Sequence, residues 1–113
     1  MAVDETLTQR LRAAIGALEG VTETRLMGGA CFMLNGNMLC CADRTKNGEG
    51  RFMFRVGKDN EREALGRPGA AVVAMGGREM RGFIFVDESA CDARALKRWA
   101  SLARRYVDAL PPK

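Results

Sequence analysis

The chain contains no histidine. That absence excludes Ser-His and Cys-His nucleophile activation, His-ligated zinc and the usual general base near neutral pH. Aromatic residues are scarce at 6%, with one Trp and one Tyr, too few to interleave with basic residues as base-stacking platforms. No apolar run approaches the ~20 residues of a membrane span. The opening Met1-Ala2-Val3-Asp4-Glu5 is acidic and lacks the apolar stretch of a secretory signal, so a cytoplasmic protein is expected. Four cysteines in that setting read as free thiols in a reducing compartment.

What remains is the composition of a soluble globular chain. It has 113 residues, expected to form one domain over 1–113, with 47% hydrophobic and 28% charged residues and a mean hydropathy of −0.18. Eighteen cations against fourteen acids give +4, and fourteen of those cations are arginine. The excess is compatible with an acidic partner such as nucleic acid, or simply with a solvated surface.

From Asp4 to Glu19 the apolar positions Leu7, Leu11, Ala14, Ile15 and Leu18 fall in one helical arc. Thr6-x-x-Gln9 or Asp4 would cap this helix, and Gly20 would end it. An extended arm through Thr24-Arg25-Leu26-Met27, Gly28-Gly29 and Ala30–Leu34 meets Asn35-Gly36, the strongest short hairpin signal, and returns through Asn37–Ala42. Gly28-Gly29 inside the arm suggests a bulge or the close approach of another backbone. Further strands are expected at Arg51–Val56, Ala70–Met75 and Met80–Val86, with a short helix between Gly57 and Gly66. A last helix from Asp92 to Leu110 segregates its faces completely. Leu96, Trp99, Leu102, Ala103 and Val107 lie on one side, and Arg94, Lys97, Arg98, Arg104 and Arg105 on the other. The fold class is therefore α+β, a five-stranded mainly antiparallel sheet with flanking helices in the order α-β-β-β-α-β-β-α.

A two-residue Asn35-Gly36 turn would oppose residues summing to 71, setting Cys31 against Cys40 and Met33 against Met38. Cys31, Met33, Met38 and Cys40 would share one face, and Phe32, Leu34, Leu39 and Cys41 the other. A soft-metal or redox pair is one reading, and space-filling in a hairpin buried on both sides is the other. Helices covering one face only would leave the second for a protein partner or a homodimer. The basic face of the last helix could lie along phosphates, or be a solvated surface. Gly76-Gly77-Arg78-Glu79-Met80-Arg81-Gly82 could form an anion-binding nest, though it lacks a P-loop ending and turn chemistry explains it. No carboxylate sits inside an apolar run and no nucleophile, base and orienter assemble, so no catalytic residue, cofactor or metal site is expected. The expected function is binding, with a protein partner or second copy, or alternatively nucleic acid, and no membrane.

Leu26-Met27-Gly28-Gly29-Ala30-Cys31-Phe32-Met33, Asn35-Gly36-Asn37-Met38, Met53-Phe54-Arg55-Val56-Gly57, Gly77–Val86 and Leu96-x-x-Trp99 through Lys113 together resemble the TfoX N-terminal domain family. The resemblance runs from about Val21 to Lys113. It implies an α+β fold like that of type III secretion chaperones and YjbR-like proteins. It also implies a role related to transcription or natural competence, since the family is named for a competence regulator with a further helical domain. Within the matching motifs, Gly28, Gly29, Arg55 and Arg78 are the positions of first interest.

Overall fold

The computed structural model describes residues 4–26 and 29–113. Helix α1 (Glu5–Ile15) starts at Asp4, whose carboxylate accepts from the Leu7 N–H at 3.0 Å. That bond satisfies an otherwise orphaned first-turn donor, so Asp4 rather than Thr6 is the cap. The helix stops at Gly16, four residues before the expected Gly20, because Gly16 takes φ +70° and its N–H turns back to Arg12 O. Leu18 lies beyond the helix and still packs against the core, which is why the periodic pattern overruns the helix end.

Six strands follow, one more than the sequence suggests: β1 (Val21–Leu26), β2 (Gly29–Leu34), β3 (Asn37–Arg44), β4 (Gly50–Arg55), β5 (Ala70–Met75) and β6 (Arg78–Asp87). The expected first arm is two strands, β1 and β2, which pair antiparallel with Val21 opposite Leu34. Helix α2 (Lys58–Leu65) joins β4 to β5. A 3-10 turn (Glu88–Ala90) leads into α3 (Ala93–Asp108), capped by the Asp92 carboxylate on Ala95 N–H at 2.8 Å. The sheet order is β1-β2-β3-β4-β6-β5 with every neighbouring pair antiparallel, so β1 and β5 form the edges.

Asn35 (φ +52°) and Gly36 (φ +85°) form the β2–β3 turn, both in the left-handed region that Asn-Gly supplies at least cost. The C-terminus docks on this turn. Lys113 N–H donates to Asn35 O at 2.9 Å, and Asn37 Nδ2 donates to Pro111 O at 3.0 Å.

All three helices lie on one face of the sheet. There Phe32, Leu34, Leu39, Cys40, Ala42, Phe52, Phe54, Val56, Ile84 and Val86 meet Leu7 and Leu11 of α1, Ala64 of α2, and Leu96, Trp99, Leu102 and Val107 of α3. Phe54 and Trp99 stack at the centre, with ring centroids 5.5 Å apart. Among the described residues nothing helical covers the other face.

Candidate functional site

The composition of the open face depends on two register shifts, one between β2 and β3 and one between β5 and β6 at Val72/Ala74. Near the turn the register is as expected, Met33 opposite Met38, but it shifts between Phe32 and Met33. Beyond the shift Phe32 faces Cys40 and Cys31 faces Cys41. Leu39 and Cys40 both belong to the helix-side core, as two successive residues do at a bulge. The expected Cys31–Cys40 pair is thereby overturned: Cys40 lies under the helices, and Cys41 takes its place on the open face.

Regular alternation beyond the bulge then sets the face. Cys31, Cys41, Met53 and Val73 are buried at its centre, with half-buried Met33, Met38, Met80, Phe83 and Phe85 packed around them. Two arginines from β4 close its ends. Arg51 stands 3.9 Å above the Phe85 ring and pairs with Asp43, its cross-strand neighbour, at 2.8 and 3.2 Å. Arg55 lies over both Phe83 and Tyr106, 5.5 and 5.8 Å from their centroids. Guanidinium-over-ring contacts hold each planar head against an apolar surface and leave its N–H edge pointing outward.

The thiols are electrostatically quiet. The Cys31 contact, then burial, pushes Cys41 up, and burial pushes Cys40 up. Burial raises Cys91 to about 11. A thiol held protonated is a poor nucleophile and a poor metal ligand. Among the described residues no group of three or more Cys, Asp or Glu could hold a metal ion. The soft-metal reading of Cys31 and Cys40 loses its geometry, since the two lie on opposite faces.

The remaining expected positions scatter. Arg94, Lys97, Arg98, Arg104 and Arg105 are all exposed on the outer side of α3, and none joins an ion pair among the described residues. Arg78 is exposed at the start of β6, far along the strand from Arg55, whose cross-strand neighbour is Phe83. A Cβ on Gly29 would stand 2.9 Å from Ala42 O, so this glycine serves the close approach of β3. Gly28 lies outside the described residues. Arg55 packs over Phe83 of the open face.

Three side chains that fix the geometry around the sheet escape sequence reading: Asp43, Arg51 and Glu61. Glu61 on α2 is buried, and its carboxylate accepts from Gly82 N–H at 2.8 Å and from Arg81 Nε at 3.0 Å. Those donors, the Gly82 amide first, hold its carboxyl below the usual carboxylate range, the opposite of what a general acid needs. The β4 to β6 connection runs through a helix and another strand, so no local spacing reveals that Glu61 meets Gly82.

The sequence profile described as TfoX N-terminal domain matches residues 13–106, most of the chain. No curated protein and no solved structure shows a significant match.

Proposed function

The chain belongs to the TfoX N-terminal domain family, and from that premise we propose that it is a non-catalytic cytoplasmic binding module that works by protein–protein contact through the helix-free sheet face. The role implied for such a module is in transcriptional regulation. The observation that carries the reading is the face itself. Three methionines and two phenylalanines remain half-exposed around a buried Cys-Met-Val centre, with no helix over them. Unbranched thioether side chains repack easily against different surfaces, which suits a contact site. Arginines over rings at both ends resemble the aromatic and Arg anchors enriched in interfaces. Buried thiols at Cys40, Cys41 and Cys91 fit a reducing compartment.

Light scattering on the pure protein, with affinity purification from its own cells, tests this. M38E with M80E should abolish whichever self-association or specific capture the wild type shows, at unchanged secondary structure. A wild type that is monomeric at millimolar concentration, and whose captured proteins all survive in the double variant, would refute it.

The unpaired α3 cations favour a second reading, nucleic-acid binding along that helix. It expects affinity that falls steeply with salt and disappears in R98E/R105E.

A further inference from the structure

At the Arg55 end of the sheet, a cleft of about 340 Å³ opens between the end of β4, the start of α2, β6 and α3. Arg55, Lys58 and Arg81 enter it from three different elements, against one carboxylate, Asp59, and the Phe83 and Tyr106 rings supply its apolar wall. We propose that this cleft binds a small organic phosphate, a phosphomonoester whose phosphoryl group meets the three cations and whose carbon portion lies against Phe83 and Tyr106.

The two arginines are held in place rather than loosely tethered. Arg55 is braced by two rings, 5.5 Å from one centroid and 5.8 Å from the other. Arg81 is anchored through Nε by buried Glu61 at 3.0 Å, and its terminal nitrogens have no hydrogen-bond partner among the described residues. Lys58 is exposed and makes no ion pair among the described residues. Fixing guanidinium groups before the ligand arrives reduces the ordering cost of binding.

The backbone closes in as well. Gly82 sits at φ +86°, its O accepting from Val56 N–H and Gly57 N–H at 2.8 and 3.0 Å, and a Cβ there would lie 3.0 Å from Lys58 N. This packs β6 directly against the chain entering α2, whose N-terminus has no side-chain cap. Arg81 and Gly82 are the last two residues of the glycine-rich basic segment 76–82, so the part of that segment that meets an anion is its end and not its turn.

Charge and size select the ligand class. A phosphomonoester carries about −1.5 to −2 at neutral pH and offers three strong acceptor oxygens, matching three converging donors better than a single carboxylate does. The volume lies in the range of small-molecule sites and exceeds what a lone ion fills. Polymeric phosphodiester has one charge per phosphate and would favour the open α3 surface over a cleft.

The test is an NMR titration of the intact chain with inorganic phosphate and with phenyl phosphate, each against sodium chloride at matched ionic strength. The expected result is saturable shifts at the Gly57, Lys58 and Gly82 amides, tighter for phenyl phosphate. R55Q and K58Q should each weaken Kd by roughly tenfold. K46Q, which removes the same charge from the exposed loop between β3 and β4, should leave Kd unchanged. Trp99 fluorescence melts of the variants verify folding, and K58Q, at an exposed position, keeps the test open if R55Q unfolds. Shifts that chloride reproduces, a K46Q loss equal to that of R55Q, or saturation by a DNA duplex but not by phenyl phosphate would overturn the proposal.

Discussion

Replacing Glu61 with alanine tests whether a single buried carboxylate ties α2 to β6. Its two partners are unequal. The Gly82 N–H is buried and has this carboxylate as its acceptor at 2.8 Å, whereas the Arg81 side chain is 58% exposed. Removing the carboxylate leaves a buried N–H without its partner, at a cost of about 1–3 kcal/mol. The lost pair with a solvated arginine adds no more than about 1 kcal/mol, and often nothing. E61A should therefore cost about 2 kcal/mol, and R81A about 0.5 kcal/mol or less. With an unfolding entropy near 2.1 cal/mol/K per residue, a 113-residue chain loses about 8 °C in Tm for 2 kcal/mol.

The pH dependence fixes the mechanism. The folded-state pKa of Glu61 is depressed, so its stabilising contribution is present above the unfolded carboxylate pKa and is lost as pH falls through the folded one. The Tm gap between wild type and E61A should be full at pH 7 and shrink at pH 3. E61Q, which keeps an oxygen for the Gly82 amide but no charge, should fall between them and show no such pH dependence. Thermal melts by circular dichroism read all four proteins. An E61A loss no greater than that of R81A, or a gap unchanged at pH 3, would refute the assignment of the cost to a charge-assisted bond with the Gly82 amide.

Three further outcomes are expected. G57A should cost about 1–2 kcal/mol, because Gly57 sits at φ +88° and a Cβ there would collide with the Tyr106 ring. Adding Y106A should recover only the steric part of that loss, as read by urea denaturation. F54A should cost about 3–5 kcal/mol by leaving a cavity beneath Trp99, and should shift the emission of that lone tryptophan. The four cysteines should resist an aromatic disulfide reagent at pH 8 in the native state and react together after denaturation, since all are buried and burial leads the rise at Cys40 and Cys91, the latter to about 11. Fast labelling of even one native thiol would contradict that.

Elements announced by backbone chemistry were legible from sequence. Asn35-Gly36 names its turn because few other pairs accept two positive φ values. Helix α3 announces itself through a two-sided pattern and Asp92, and α2 through Gly57 and Gly66 at its flanks. The split of the first arm into β1 and β2 was not legible, because β1 is an edge strand whose Thr22–Arg25 are exposed and carry no alternation. The end of α1 lies at Gly16 and not at the expected Gly20, though both take positive φ. Leu18 prolongs the apolar arc while lying outside the helix.

The cysteine pairing failed for a deeper reason, which also explains the character of the open face. A register slip is betrayed when it drives polar residues inward. In Met38-Leu39-Cys40-Cys41-Ala42 every residue is apolar, so either register looks equally good and period-2 counting cannot place the bulge. The structure uses that freedom. Leu39 and Cys40 both go to the helix core, and Cys41 and Asp43 are sent to the side that no helix covers. Asp43 then fixes Arg51 across the strand pair, and Arg51 covers Phe85. One inserted residue in β3 thus decides which thiol is entombed and where the face acquires its charged end. Deleting Leu39, the residue skipped in the β2–β3 pairing, should make that pairing uniform while leaving Cys40 opposite Phe32, Cys41 opposite Cys31 and Asp43 opposite Arg51. The cost is then that of a lost buried leucine, about 2–5 kcal/mol by urea denaturation, with Cys40 still protected from a disulfide reagent in the native state; a deletion variant whose Cys40 reacts as fast as an exposed thiol would refute the placement of the bulge at Leu39.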